Sequence, residues 1–178
     1  GFFNGQARVG FSGKFLSEDT NMAIGLLADQ LQNPLFAEEE LEKAKKRQVA
    51  GYKRSKESTR GNAMNSMLQA FYGSNHQNSP TNPDEAIKQI QKLTSEDLKN
   101  YHKEKYGLGS MVLVVVGDVD HIKMENLVKE NFGGWKQSNL KIKEEESVAS
   151  KASNKVYVTM QDKTSTDFVV GTALGIDR

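Results

Sequence analysis

The sequence predicts an α/β fold of the α+β type, in which helices pack on a sheet. Residues 6–12 alternate between apolar and polar side chains, which is the period of a half-buried strand. Several later segments place apolar residues three and four positions apart, which is the period of an amphipathic helix. Residues 111–116 are all β-favouring, as is typical of a central strand covered on both faces.

Composition limits the classes of function. The chain has 178 residues, enough for one large domain or slightly more. Its 24 Lys and Arg nearly balance its 23 Asp and Glu, so no whole-protein field attracts nucleic acid or anionic lipid. The absence of cysteine excludes disulfides, thiolate metal sites and cysteine nucleophiles. No apolar run approaches the roughly 20 residues of a membrane span.

Local signals predict where most helices begin and end. Ser17 is a suitable N-cap for the first helix, and Asn33-Pro34 ends it. The predicted inner face of this helix is Ala23, Leu26, Leu27 and Leu31. A later helix spans the apolar pattern of residues 63–71. Three more begin at Asn82-Pro83, at the near capping box of residues 94–97, and after Gly117-Asp118.

The second predicted helix, residues 37–58, has a thin inner face. It begins with acids, and seven Lys and Arg residues follow. The inner face would consist of Leu41, Ala44, Gln48, Gly51 or Tyr52, and Ser55. Such a helix packs closely through small residues or lines a cavity. The basic run is interpreted as a solvated face and not a nucleic-acid site, because acids share the segment and only Tyr52 offers an aromatic platform.

A change in composition divides the chain. Residues 137–154 are rich in Lys, Glu, Ser and Ala, which is typical of a linker. Residues 155–160 and 167–173 are predicted strands. We therefore expect a domain at 1–136, a linker at 137–154 and the first strands of a following domain at 155–178. Because the chain begins without an initiator Met or signal-peptide features and ends straight after a strand-like run, a truncated domain of a longer protein is expected.

The three histidines form no local metal motif. His76, His102 and His121 are 26 and 19 residues apart, which matches no zinc spacing. His102 and His121 are interpreted as solvated or locally hydrogen-bonded. His76 lies in a polar loop and is a weak candidate polar site, although anchoring of the loop is the preferred interpretation.

Other catalytic motifs are equally sparse. The sequence has no Gly-x-Ser-x-Gly nucleophile elbow. The glycine pair at 133–134 follows a helix, which is the wrong context for a phosphate-binding loop. Asp118 and Asp120 are a candidate metal pair, but helix capping accounts for them adequately.

Several segments, each weak alone, are specific in combination. They are residues 13–19, 26–36, 39–43, 72–76, 93–98, 115–120, 132–135 and 162–171, with sequences such as Gly73-Ser74-Asn75-His76 and Val116-Gly117-Asp118-Val119. Their order resembles the pitrilysin/insulinase-like zinc metallopeptidases, which include mitochondrial processing peptidase. The resemblance implies a LuxS/processing-peptidase-like metallohydrolase fold, with helices packed on an antiparallel-rich sheet in tandem domains.

The resemblance also implies zinc-dependent proteolysis, but only in halves that carry His-x-x-Glu-His. That motif does not occur here. In active halves a later helix supplies a third ligand, Glu, and its position falls at about Gly51 in this chain. A supporting acid seven residues earlier would be Ala44. Because neither residue can bind or orient a metal, we expect no catalytic residue and no metal ligand in this chain.

The expected function is therefore a non-catalytic one within a multi-domain zinc peptidase. The chain would help to form a peptide-binding chamber, with other domains of the parent protein and extended peptide substrate as its partners. Zinc would be bound by the catalytic half of the parent. The alternative is a non-enzymatic scaffold of the same fold, like respiratory-complex core subunits. Family habit favours the periplasm, and no nucleic acid or membrane span is expected.

Overall fold

The structure is a computed structural model that describes residues 1–5, 8–73, 76, 78–109, 111–138 and 155–172. These residues form six α-helices and one sheet of two strands, which is compatible with the predicted α/β class. They form two compact units. The first contains the described residues of 1–38 and 94–142, and the second contains those of 39–93 and 143–178.

The first unit combines a hairpin with three helices. Strands β1 (Phe2–Asn4) and β2 (Val9–Phe11) pair antiparallel, with Phe2 opposite Phe11. Strand β2 confirms part of the strand predicted at residues 6–12. The helices are α1 (Thr20–Gln32), α5 (Ser95–Lys105) and α6 (His121–Phe132).

The core of the first unit lies where α1 packs on α6. Ile24, Ala28 and Phe132 are buried there, with Leu27 and Leu31 partly buried against them. The predicted inner face of α1 was wrong at Leu26, which is 54% exposed. The helix is rotated so that Ile24 and Ala28, one turn apart, meet the partner helix.

The second unit contains the other three helices, α2 (Glu38–Lys56), α3 (Thr59–Tyr72) and α4 (Pro83–Lys92). Side chains cap two of them, since Ser58 accepts from Gly61 N and Asn82 accepts from Asp84 N. The predicted start of α4 at Asn82-Pro83 is confirmed.

Residues 155–172 also belong to the second unit and bind near the junction of α2 and α3. The Thr59 hydroxyl donates to an Asp167 carboxylate oxygen at 2.5 Å. The Lys163 ammonium pairs with Glu57 at 2.8 Å, and this ion pair lowers the pKa of the Glu57 carboxyl. These polar contacts attach the C-terminal segment to the helices of this unit.

The predicted later strands are not formed in the described part of the chain. Residues 111–116, 155–160 and 167–172 lie outside any hydrogen-bonded ladder. The predicted burial of 111–116 on both faces is also wrong, because Val112 and Val116 are 88% and 91% exposed. A strand requires a neighbour for its backbone N–H and C=O groups, and no other described segment takes that place. The predicted linker lies outside the described residues from 139 to 154.

Candidate functional site

Helix α2 holds the two positions at which the resemblance places a ligand and its supporting acid. Ala44 and Gly51 are both half-buried on this helix, and neither carries a donor atom in its side chain. A Cβ added at Gly51 would meet no atom within 4 Å. The close packing that small residues predicted for this face is therefore not found at Gly51. The described part places no sheet against that position.

The residues at these positions do not fit a zinc ion, which needs imidazole, thiolate or carboxylate ligands. Among the residues that the structure describes, no group of three or more His, Cys, Asp or Glu side chains could hold a metal. The described part thus assembles no alternative ligand set from distant histidines.

His76 is held within its loop. Its ring stacks on Tyr72 with centroids 4.6 Å apart and an interplanar angle of 20°. Its Nδ1 accepts a hydrogen bond from Asn78 N at 3.0 Å, and its carbonyl oxygen accepts one from Ser79 N. This geometry is compatible with loop anchoring, and the role of His76 stays a prediction.

His102 lies in an aromatic cluster of the first unit. Its Nε2 lies 2.7 Å from the Leu31 carbonyl oxygen, so this nitrogen carries the proton because a carbonyl only accepts. The imidazole stacks on Tyr106 at 5.0 Å and on Trp135 at 6.3 Å. Burial raises the pKa of the neighbouring Tyr106 hydroxyl. His102 therefore ties the end of α1 to α5, a long-range contact that its local sequence did not indicate.

The remaining candidates lie around the start of α6. Asp120 caps this helix, because one carboxylate oxygen accepts from Ile122 N and Lys123 N at 3.0 Å each. Asp118 and His121 are exposed. The expected capping role of Asp120 is confirmed, and the expected capping by Asp118 is not seen.

A cleft in the second unit lies beside α2, but not on the face for which the sequence predicted close packing or a cavity. It has a volume of about 350 Å3 and lies between α2 and α4. Its lining consists of Glu42, Lys45, Lys46, Val49, Ala50, Lys53 and Gln91. The sequence signal for this side of α2 was the pair of lysines at positions 46 and 53, since residues seven apart lie on one side of a helix. In the described part of the chain, no helix is long and apolar enough to cross a membrane.

Comparison with known proteins agrees with the resemblance found in the sequence. Residues 92–173 match the sequence model of a family described as "Peptidase M16 inactive domain". An "Uncharacterized zinc protease" of Rickettsia felis is 30% identical over 137 residues, which cover 76% of this chain and 32% of that protein.

Two mitochondrial proteins are also similar. "Cytochrome b-c1 complex subunit 1, mitochondrial" of Bos taurus is 30% identical over 122 residues, 68% of this chain and 25% of that protein. "Probable mitochondrial-processing peptidase subunit beta, mitochondrial" of Arabidopsis thaliana is 28% identical over 135 residues, 73% of this chain and 24% of that protein. The chain spans about a quarter to a third of the length of these relatives.

Proposed function

We propose that this chain, which is similar to M16 zinc metallopeptidases and carries their inactive domain at residues 92–173, is a non-catalytic part of a multi-domain zinc peptidase. In this role it helps to enclose extended peptide substrate, while a separate part of the parent protein carries His-x-x-Glu-His and zinc. Its division into a domain at 1–136, a linker and the start of a further domain at 155–178 is part of the proposal.

The single observation that carries the proposal lies on α2. This helix corresponds to the one that supplies the third zinc ligand in active halves, and it bears Gly51 and Ala44 at the two relevant positions. Both side chains lack donor atoms, whatever other parts of the parent protein contribute. The inactive-domain match supports the same role from an independent part of the chain, because it begins at residue 92, well after α2 ends.

The LuxS/processing-peptidase-like fold supplies a reason for the exposed apolar segments. In that fold a sheet faces the helices, and the exposed apolar side chains of residues 111–116 would contact other parts of the parent protein. Extended peptide can bind such a fold by adding to the edge of its sheet. We therefore place the peptide-binding surface on the sheet side and not on the charged side of α2.

The proposal is tested by reconstitution. The purified 178-residue chain is mixed with the part of its parent protein that carries His-x-x-Glu-His, and cleavage of a fluorogenic peptide is followed. We expect no cleavage by the chain alone, and a higher kcat/KM of the zinc-bearing part when the chain is present. Cleavage by the chain alone, or no effect on the zinc-bearing part, contradicts the proposal.

A second candidate function is a scaffold without any peptidase role. The similarity to a cytochrome b-c1 complex subunit favours it, with 30% identity over 122 residues. The parent reading frame distinguishes the two candidates. A His-x-x-Glu-His motif in the parent or in a partner encoded beside it favours the peptidase, and its absence from both favours the scaffold.

A further inference from the structure

One side of α2 carries cations without partners. The seven Lys and Arg residues of this helix lie between positions 43 and 56, and its four acids lie between positions 38 and 42. Three cations are paired, since Lys43 contacts Glu39 and Glu40, Lys45 contacts Glu42, and Lys56 contacts Asp84. The other four form no ion pair with any residue the structure describes, and we call them the cationic face: Lys46, Arg47, Lys53 and Arg54.

The cationic face has regular spacing. Lys46 and Lys53 are seven residues apart, as are Arg47 and Arg54, so each pair repeats after two turns, or about 10.5 Å along the helix axis. All four side chains are exposed. Ala50 lies between the two pairs and is also exposed. An exposed alanine therefore lies between two pairs of positively charged side chains on this helix.

The positive charge of the cationic face acts on Lys43, the paired lysine that lies beside it. The hydrogen bonds that the Lys43 ammonium donates to Glu39 and Glu40 raise the pKa of Lys43, and the nearby charge of Arg47 acts in the opposite direction. Like charges one turn apart destabilise a helix. In the described part of the chain the four cations of this face form no ion pair, although Glu42 lines the adjoining cleft, so an anion from outside would add the attraction that they lack.

The cleft between α2 and α4 adds an apolar floor. Lys46 and Lys53 line it together with Val49 and Ala50, and Gln91 of α4 contributes an amide. Lys45 and Glu42 also line it, but they form an ion pair with each other. Two ammonium groups beside aliphatic side chains match a ligand that has carboxylates on methylene chains. Glutamate side chains have this combination.

We propose that the cationic face is a docking surface for an acidic polypeptide segment whose carboxylates repeat at about two helical turns. This inference goes beyond the proposed non-catalytic role and holds whether or not the parent protein is a peptidase. Charge complementarity carries it, together with the repeat of seven residues and the adjoining apolar floor.

Two features of this surface favour a peptide over nucleic acid as its ligand. Glu39 and Glu40 lie at the N-terminal end of the same side of α2, and they would repel a phosphate backbone that continued along the helix. Tyr52 lies about 120° around the helix from Lys46, at 100° per residue, so no aromatic ring is available on this face for base stacking.

The test measures the fluorescence anisotropy of a labelled helical peptide, about two heptads long, with two pairs of Glu residues seven positions apart. A peptide with Gln in place of Glu and an oligodeoxythymidylate of similar length serve as comparison ligands. The variant K46Q/R47Q/K53Q/R54Q removes the cationic face, and Gln preserves helix propensity. The control K99Q/K103Q/K123Q/K136Q removes the same number of charges from exposed lysines of the first unit.

We expect the Glu peptide to bind the wild-type chain and the Gln peptide not to bind. Exposed ion pairs are worth about two-fold each, so loss of all four cations weakens binding by about sixteen-fold, and the control changes it by less than about two-fold. The variant K46E/K53E is expected to prefer a peptide with Lys in place of Glu. Absence of Glu-peptide binding, an equal loss in the control variant, failure of this charge reversal, or tighter binding of the oligonucleotide would overturn the proposal.

Discussion

Replacing Gly51 with alanine should stabilise the chain. Gly51 lies inside the 19-residue helix α2, five residues before its end at Lys56, so the full cost of glycine in a helix interior applies. Alanine is favoured over glycine there by about 1 kcal/mol. The new methyl group meets no atom within 4 Å, so no steric cost reduces this gain. We expect the free energy of unfolding to rise by about 1 kcal/mol and the Tm by about 2–4 °C.

The assay is denaturation of the 178-residue chain by urea and by heat, followed by circular dichroism at the helix band. Ala50→Gly is the matched control, because Ala50 is the neighbouring residue on α2 and is exposed. It should lower the free energy of unfolding by about the same 1 kcal/mol. If the two substitutions change the free energy of unfolding by equal amounts of opposite sign, helix propensity alone accounts for both.

The opposite sign for Gly51→Ala would refute this reasoning. If alanine destabilises the chain while Ala50→Gly has its expected effect, another part of the molecule contacts Gly51 closely in solution. That result would restore the first expectation from the sequence, in which small residues let this helix approach a sheet. It would leave the absence of a ligand at this position unchanged.

Three further changes test the contacts within each unit. His102→Ala removes the hydrogen bond to Leu31 and three ring contacts, and should cost about 2 kcal/mol of stability, measured by urea denaturation with the single tryptophan as a fluorescent probe. Asn82→Ala removes the N-cap of α4 and should cost about 1 kcal/mol by the same assay. Lys163 lowers the pKa of Glu57 below its usual 4.5, so the stability from this pair is present above that pH and is lost as pH falls through the lowered pKa. Lys163→Gln should remove this part of the acid dependence, as measured by urea midpoints between about pH 2 and pH 6.

Helix starts were predictable because their signals are local. The Asn82 side chain accepts a hydrogen bond from Asp84 N, two residues away. Thr94 and Asp97 form a complete capping box, in which each side chain bonds the backbone of the other residue. Such contacts involve neighbours in sequence, so the residue types alone indicate them.

Features that depend on distant partners were predicted less well. The inner face of α1 was predicted wrongly because it depends on α6, which begins about 100 residues later in the sequence. Helix α6 packs against Ile24 and Ala28 and leaves Leu26 exposed. The apolar run at 111–116 has strong β propensity, but a strand forms only where a neighbour accepts its hydrogen bonds. His102 was interpreted as solvated or locally hydrogen-bonded, because nothing near it in sequence predicts its contact with Leu31, 71 residues away.

For the candidate site, residue identity was more informative than position. The side chains of Gly51 and Ala44 have no donor atoms in any fold, so their inability to bind zinc follows from the sequence once the helix is matched to the family that the sequence resembles. The cationic face could be noted as a basic run, but its four unpaired members emerge only when the partners of Lys43, Lys45 and Lys56 are known.

The zinc content of the purified chain tests the central claim most directly. The 178-residue chain is equilibrated with a small excess of Zn2+, passed through a desalting column and measured by inductively coupled plasma mass spectrometry. The proposed non-catalytic role predicts that the chain retains far less than one zinc per chain. Retention of one zinc per chain, resistant to desalting and lost on addition of a strong chelator, would contradict the account.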